Sequence, residues 1–209
     1  MKRCGYMLMP AAVAALCALL FVGTLSGCTP VLEMTTAAVH SRAIGARGPA
    51  GGYIFYADTE DQFEWTYLEA APAEEEFESV EWGQLDDDIP KYGLPSGIGA
   101  GGDNSAYLYD IQSGEYAAKK CEELSVVRDG KTYDDWFLPS HDELKAMYEV
   151  LHERDEPLGG FTDGDYWSSS HQSKAIYEDP HPLEFNFADG ESMGSYCGYS
   201  NSVRAARAF

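Results

Sequence analysis

Basic side chains are scarce in this 209-residue chain, which has 14 lysine and arginine residues against 35 aspartate and glutamate residues and a net charge of −21. A surface with this charge repels polyanions at long range, so it disfavours binding of nucleic acid or sulfated glycans through broad electrostatics. The same excess of acid is typical of a well-solvated surface, and it is also compatible with cation binding. The charge therefore weighs against one class of partner and leaves the others open.

Cysteine is also scarce: of five cysteines, two lie before residue 28, one is Cys28, and only Cys121 and Cys197 follow. In an oxidising compartment these two would form a disulfide that closes a loop of about 75 residues and adds about 4 kcal/mol in the chain-entropy model. Two buried thiols are the alternative.

Long apolar character is confined to the N-terminus. Lys2 and Arg3 precede an apolar stretch that ends in the letters LSGC at Cys28, a pattern that resembles a bacterial lipobox. Residues 1–27 are therefore predicted to be a lipoprotein signal peptide, and acyl chains on Cys28 would make the membrane a partner. An uncleaved membrane-spanning helix is the alternative. Thr29 stands where a retention aspartate would be, and the resemblance to bacterial lipoproteins therefore implies the outer membrane.

The rest of the chain divides into a tether and one domain. Residues 28–47 have little periodicity and several small polar residues, so they read as a tether. Residues 48–209 are long enough to bury a sizeable core. Loss of residues 1–27 removes Lys2 and Arg3 but no acid, which leaves 12 basic against 35 acidic residues and a charge of −23.

The segment 134–144 carries the clearest structural signal. A short apolar strand reaches Pro139, and Ser140 and Glu143 have the spacing of a capping box, so a helix is predicted to begin at His141. Its apolar stripe needs a partner surface. The stripe consists of Leu144, Met147, Tyr148 and Leu151.

The other elements are short strands and one more helix. A helix is predicted over Ser113–Ser125, and the region from Glu74 to about Gly102 is predicted to be an exposed loop. Strands are predicted over 52–56, 63–70, 166–170, 183–187 and 202–209, and the first two are predicted to pair as a hairpin. This order lacks alternation of parallel strands and helices, so the fold class is α+β.

The glycines at 97–102 formally match G-x-G-x-x-G, but no strand precedes them. They are therefore interpreted as a tight turn, and no cofactor is predicted.

The order of several short motifs resembles a known family. They are GPAGGYIFY (48–56), YLEAAP (67–72), WG (82–83), IGAGGDNS (98–105), AAKKC (117–121), DWFLPSHDELKAMYEVL (135–151), GGF (159–161), YWSSS (166–170) and VRAARAF (203–209). Together they are similar to the bacterial domain family typified by the C-terminal domain of the Legionella collagen-like protein, and the similarity covers nearly all of 48–209. The resemblance implies a fold like that of C-type lectins and formylglycine-generating enzymes, and a surface-displayed recognition domain. In the founding case this domain is a glycosaminoglycan-binding adhesin. No collagen repeat precedes the domain here, so the resemblance leaves the oligomeric state open.

Ligand contacts are expected from polar and aromatic side chains in the loops, where aromatic rings can stack on sugars. The candidates are Tyr92, Asp103, Asn104, Tyr107, Asp163 and Asp165. Asp163 and Asp165 could also supply oxygen ligands to calcium, although no EF-hand spacing is present and solvated turn carboxylates are the alternative. No metal site is predicted.

Serine, histidine and aspartate occur together at 140–142, and serines precede His171. No G-x-S-x-G turn surrounds them, and adjacent residues cannot converge on one point, so no enzyme is predicted. Arg204 and Arg207, three residues apart, would face opposite sides of one strand, with one of them paired inward. The expected function is a lipid-anchored envelope protein with a non-catalytic domain that binds a glycan or protein. A structural or envelope-assembly lipoprotein is the alternative.

Overall fold

A computed structural model describes residues 43–84, 90, 92–172 and 181–209, and all of these lie in one compact unit. The predicted signal peptide 1–27, Cys28 and the tether up to residue 42 lie outside the described residues. Among the residues that are described, no helix is both long and apolar enough to cross a bilayer. The Gly45 N–H donates to the Ile54 carbonyl at 2.8 Å, and the backbones of Arg47 and Tyr53 form an isolated antiparallel β-bridge. Pairing with the first strand therefore begins before the predicted boundary at residue 47.

The described residues include three α-helices, a short 3-10 helix (Ala73–Glu75) and ten strands. The helices are α1 (Gly101–Ile111), α2 (Ala117–Glu122) and α3 (His141–Met147), which continues as a π-turn (Tyr148–His152). The strands are β1 (Tyr53–Ala57), β2 (Tyr67–Ala70), β3 (Phe77–Glu81), β4 (Val126–Arg128), β5 (Lys131–Tyr133), β6 (Asp165–His171), β7 (Pro182–Asn186), β8 (Ser192–Gly194), β9 (Ser200–Val203) and β10 (Ala206–Ala208).

The strands form two sheets and a hairpin. One sheet has the order β1-β2-β10, the other has the order β3-β9-β6-β7-β8, and β4 pairs with β5. All pairs are antiparallel except β6 with β9. The predicted hairpin of the first two strands is confirmed by the β1–β2 pairing. Few helices on mostly antiparallel sheets confirm the predicted α+β class.

Two apolar clusters make the core. The first, which we call the tryptophan cluster, surrounds Trp82, Trp136 and Trp167, each at most 1% exposed. The second, the α3 cluster, packs the apolar stripe of α3 and its π-turn against Tyr166 and Phe185 of the larger sheet and against Phe55 and Leu68 of the smaller one. The predicted stripe therefore has its partner surface in both sheets.

The capping box at the start of α3 is confirmed. Ser140 accepts from the Glu143 N–H, and the Glu143 carboxylate accepts from the Ser140 N–H at 2.8 Å. The same carboxylate, which is fully buried, also accepts from the N–H groups of Gly99 at 2.8 Å and Gly101 at 3.4 Å. A Cβ at residue 101 would overlap this carboxylate, and Gly99 has φ +87°. The glycine-rich turn therefore binds an internal carboxylate.

Four predicted elements are wrong. Residues 77–81, predicted as part of an exposed loop, form β3, because they pair with β9, and the fully buried Trp82 follows them. The strand predicted just before Pro139 is only an isolated bridge between Phe137 and Ala206. The segment 101–111, predicted in part as an exposed loop, is helix α1, because the Glu143 carboxylate binds its first N–H and Leu108 is fully buried. The last strand is interrupted between β9 and β10 at residues 204–205.

The interruption between β9 and β10 explains why both terminal arginines are buried. Arg204 is fully buried, pairs with Glu76 and donates to the Gly159 carbonyl at 2.8 Å. Arg207 makes two 2.7 Å hydrogen bonds to the Asp135 carboxylate. The expectation that only one points inward is wrong, because side-chain alternation does not continue through a broken strand.

Candidate ligand-binding site

A cleft of about 610 Å³ opens where β7, β8 and β9 meet the start of β6. It is lined by Asp165, His181, Glu184, Met193, Gly194, Ser195, Tyr196, Tyr199, Ser200 and Asn201. Tyr166 and Phe185 are paired across β6 and β7 and lie in the α3 cluster. Because successive side chains alternate, their neighbours Asp165 and Glu184 point to the opposite face, where the cleft lies.

Two carboxylates in the cleft have neutral partners. Glu184 is only 7% exposed, and its Oε2 accepts from the Asn201 side-chain amide at 2.8 Å. Asp165 accepts from the Asn186 amide at 2.7 Å. Within residues 43–84, 90, 92–172 and 181–209, no lysine or arginine forms an ion pair with either carboxylate. The wall of the cleft is therefore negative.

Exposed aromatic side chains also line the cleft. The rings of Tyr196 and Tyr199 meet edge to face with centroids 5.6 Å apart, yet the residues are 59% and 62% exposed. The turn between them is closed by the Tyr199 N–H on the Tyr196 carbonyl. Gly198 fits inside it because a Cβ there would press on the Tyr196 ring. Met193 on β8 adds a third exposed apolar side chain. Such a surface is suited to stacking against a ligand.

The cleft continues into a second groove of about 300 Å³, which shares Asp165, Ser200 and Asn201 with it. Glu78 and Thr162 line the far side of this groove. The two together can accept an extended ligand rather than a single small group.

Of the residues predicted from the sequence, Asp165 lies in the cleft. Asp163 is exposed, and its carboxylate is 3.2 Å from His152 Nε2. Asn104 is buried, and its amide donates to the Pro95 carbonyl at 2.7 Å and to Ser169 Oγ at 3.3 Å. This corrects the expected ligand contact at Asn104, because its amide holds the glycine-rich loop against β6.

The structure does not bring the other candidates to the same place. Asp103 is exposed and Tyr107 half-buried on α1, and Tyr92 is 83% exposed in the loop before α1. The neighbouring Asn104 contacts Ser169, which lies four residues along β6 from Asp165, or about 13 Å at the usual rise of a strand. The α1 candidates therefore lie apart from the cleft.

The calcium hypothesis gains no support from the geometry. In the part of the chain that the structure describes, no group of three or more histidine, cysteine, aspartate or glutamate side chains could hold a metal ion. Asp163 and Asp165 instead have the His152 and Asn186 partners given above.

The serines of β6 have structural partners. Ser168, Ser169 and Ser170 are all fully buried. Ser168 Oγ donates to the Leu183 carbonyl at 2.7 Å, and Ser170 Oγ donates to the Pro95 carbonyl at 2.8 Å. Ser140 is used as the cap of α3. These hydroxyls join the loop before α1 to β6 and β7.

Cys121 and Cys197 are buried in the tryptophan cluster, and the structure has them as thiols rather than as a disulfide. Burial raises the pKa of the Cys121 thiol well above its usual range. The predicted disulfide is therefore replaced by the alternative of two thiols packed among apolar side chains.

Sequence reasoning missed most of the cleft, namely Glu184, Met193, Tyr196, Tyr199 and Asn201. The sequence places Glu184 in an alternating strand and indicates no ligand contact for it. The signal that could have found the tyrosines is the sequence Tyr196-Cys197-Gly198-Tyr199, in which two aromatic residues flank a glycine outside any predicted element.

Fold and cleft together define an α+β protein with an acidic, tyrosine-lined cleft on one face of its larger sheet. No protein-family model matches the chain, and no curated protein matches it with significant similarity.

Proposed function

We propose that this protein is a lipid-anchored protein of the bacterial cell envelope, in the outer membrane, whose folded domain binds a glycan or protein ligand without catalysing a reaction. The cleft at β7, β8 and β9 is the binding site. The anchor rests on the LSGC sequence at Cys28, and the recognition role rests on the cleft. The motif order from residue 48 to 209 supports membership of the family of the Legionella collagen-like C-terminal domain, with its C-type lectin-like fold.

The observation that carries this proposal is the exposed pair Tyr196 and Tyr199 beside the polar groups of Glu184 and Asn201. Aromatic rings that stay in water in the free protein lose that exposure when a sugar ring or side chain stacks on them. Polar groups next to them would fix the orientation of the ligand. The serines and cysteines that could have served catalysis are buried and hold the fold together.

The test is a glycan and envelope-protein array probed with the full-length chain, expressed with its own N-terminus and purified from membranes in detergent. We expect selective binding that Tyr196→Ala and Tyr199→Ala reduce at least tenfold. Tyr92→Ala is the matched control, because Tyr92 is more exposed than either tyrosine but lies outside the cleft. Equal binding by all four proteins would contradict the proposal.

The array also separates the alternative function. Capture of envelope proteins that is insensitive to both cleft variants would favour a structural or assembly lipoprotein. The anchor is tested separately by labelling cells with radioactive palmitate. Label should enter the native chain and be absent from Cys28→Ser, and an unlabelled native chain would refute the anchor.

A further inference from the structure

Buried carboxylates in this protein are mostly compensated from within the chain. Glu69 and Glu76 pair with Arg207 and Arg204. Glu143 has no cation but accepts from three backbone N–H groups. Each of these acids therefore has the charged partner or multiple donors that a buried carboxylate needs.

Glu184 departs from this pattern. It is only 7% exposed, yet its carboxylate has one neutral donor, the Asn201 amide, and no lysine or arginine of the described residues pairs with it. Asp165, in the same cleft, also has one neutral amide donor. Two carboxylates that line one cleft with one neutral donor each keep negative charge and acceptor capacity for a ligand. A cation in the cleft would neutralise that charge.

The aromatic and apolar side chains that line the same cleft suit a cation with a flat or apolar body. The faces of tyrosine rings attract cations through the ring quadrupole, most strongly where water is partly excluded. Tyr196 and Tyr199 are the exposed rings in this cleft, and Met193 offers an apolar surface beside them. A guanidinium group combines both requirements, since it stacks on aromatic faces and donates two parallel hydrogen bonds to a carboxylate.

We infer that the cleft recognises an organic cation, a guanidinium or ammonium group, that pairs with Glu184 and Asp165 and lies against Tyr196 and Tyr199. This inference rests on the proposed function, and it narrows the ligand to a basic side chain of a protein or to a free polyamine. The groove continuing past Asp165 favours the protein side chain, because its backbone can extend there. Anionic glycans are disfavoured by the same charges.

The experiment is calorimetric titration of the full-length protein in detergent with acetyl-Gly-Arg-Gly-amide and with its citrulline counterpart, a neutral peptide of the same shape. We expect the arginine peptide to bind at least tenfold more tightly than the citrulline peptide. Spermidine is the second arm: binding tighter than that of the arginine peptide would assign the site to free polyamines. Equal affinity for the arginine and citrulline peptides would overturn the inference without any variant.

Matched variants locate the effect. Glu184→Gln should reduce arginine-peptide binding at least tenfold and abolish the preference over citrulline, whereas Glu191→Gln removes the same charge from an exposed residue outside the cleft and should change affinity less than twofold. The melting temperature of unliganded Glu184→Gln should equal or exceed that of the native protein, because the glutamine keeps an acceptor for Asn201 and removes an uncompensated charge. A lower melting temperature, or undiminished preference for arginine, would overturn the inference. Array binding that still depends on the two tyrosines would then leave the proposed function intact.

Discussion

Glu143→Gln is the sharpest test of how the glycine-rich turn is held. In the native protein one carboxylate oxygen accepts from the Gly99 and Gly101 N–H groups, and the other accepts from the Ser140 N–H. Glutamine has the same shape but only one oxygen, so its NH₂ group must face at least one backbone donor. A buried N–H left without an acceptor costs about 1–3 kcal/mol. We therefore expect a loss of about 2 kcal/mol, or roughly 4–8 °C in melting temperature for a chain of this size.

The pH dependence of the same variant gives a second signature. Burial raises the pKa of Glu143, and the backbone hydrogen bonds from Ser140, Gly99 and Gly101 oppose the rise without cancelling it. Since the pKa is higher in the folded state than in the unfolded chain, the folded state binds more protons between the two values. The contribution of Glu143 to stability therefore decreases as pH rises from the unfolded pKa, about 4.3, through the folded one. Glutamine has no proton to lose, so this component disappears.

The assay is urea unfolding followed by tryptophan fluorescence, since three tryptophans are buried in the core. Glu149→Gln is the control: it removes a carboxylate just after α3 that is about half exposed and lies 3.7 Å from Lys145. It should cost less than about 0.5 kcal/mol. If Glu143→Gln and Glu149→Gln had the same midpoint, the carboxylate would not be holding the turn.

Three further outcomes follow from the packing. Cys121 and Cys197 should not react with a thiol reagent in the native protein, and two thiols per chain should react after unfolding without reductant. If no thiol reacts after unfolding, the two cysteines are oxidised. Burial raises the pKa of Asp135, but the hydrogen bonds and the charge of Arg207 lower that pKa by more, so the net shift is downward. The stabilisation by this pair is therefore lost as pH falls below about 4. Asp135→Asn should flatten that acid limb in urea titrations, and an unchanged limb would contradict the role of the pair. Arg204→Met should cost about 3–5 kcal/mol by the same assay, because it leaves a buried carboxylate without its cation, and a change below about 1 kcal/mol would refute this.

The sequence predicts the elements whose signals are local. The start of α3 could be located to the residue because the Ser140 and Glu143 spacing, Pro139 and the apolar stripe all depend on contacts within one turn. The first hairpin was equally predictable, since alternating strands flanked a short polar turn. The class α+β followed from the order of such elements.

Helix α1 was missed because its stability comes from distant residues. Two glycines at its start are weak helix formers, and no side chain caps it. Its first N–H is instead bound by Glu143, more than 40 residues away. The interruption between β9 and β10 is similarly non-local, because the buried partners of Arg204 come from distant parts of the chain. Single-sequence patterns do not contain these contacts.

The cleft was missed for a related reason. Glu184 lies in a strand with alternating polar and apolar residues, and this pattern is the same whether the polar face borders water or a cavity. Asn201 is its partner only because the sheet brings β7 and β9 together. The sequence does predict a ligand contact for Asp165, but from its predicted position in a loop and for a sugar or a calcium ion.

The distribution of charge connects the core to the cleft. After residue 27 the chain has 12 basic residues for 35 acidic ones, so it cannot give every buried acid a cation. Arg204 and Arg207, both buried, compensate two acids, and the glycine-rich turn compensates Glu143 with backbone N–H groups. What distinguishes Glu184 is that it faces a cavity, where a partner can come from outside. A buried carboxylate without full compensation is tolerated most readily where a ligand supplies the missing partner. Selection for ligand binding then keeps a carboxylate that selection for stability alone would replace. On this reasoning, adding a cation from the chain itself by Met193→Lys, at the position paired with Glu184 across β7 and β8, should stabilise the free protein and block arginine-peptide binding together. Stabilisation with unchanged peptide affinity would show that the carboxylates and the ligand site are unrelated.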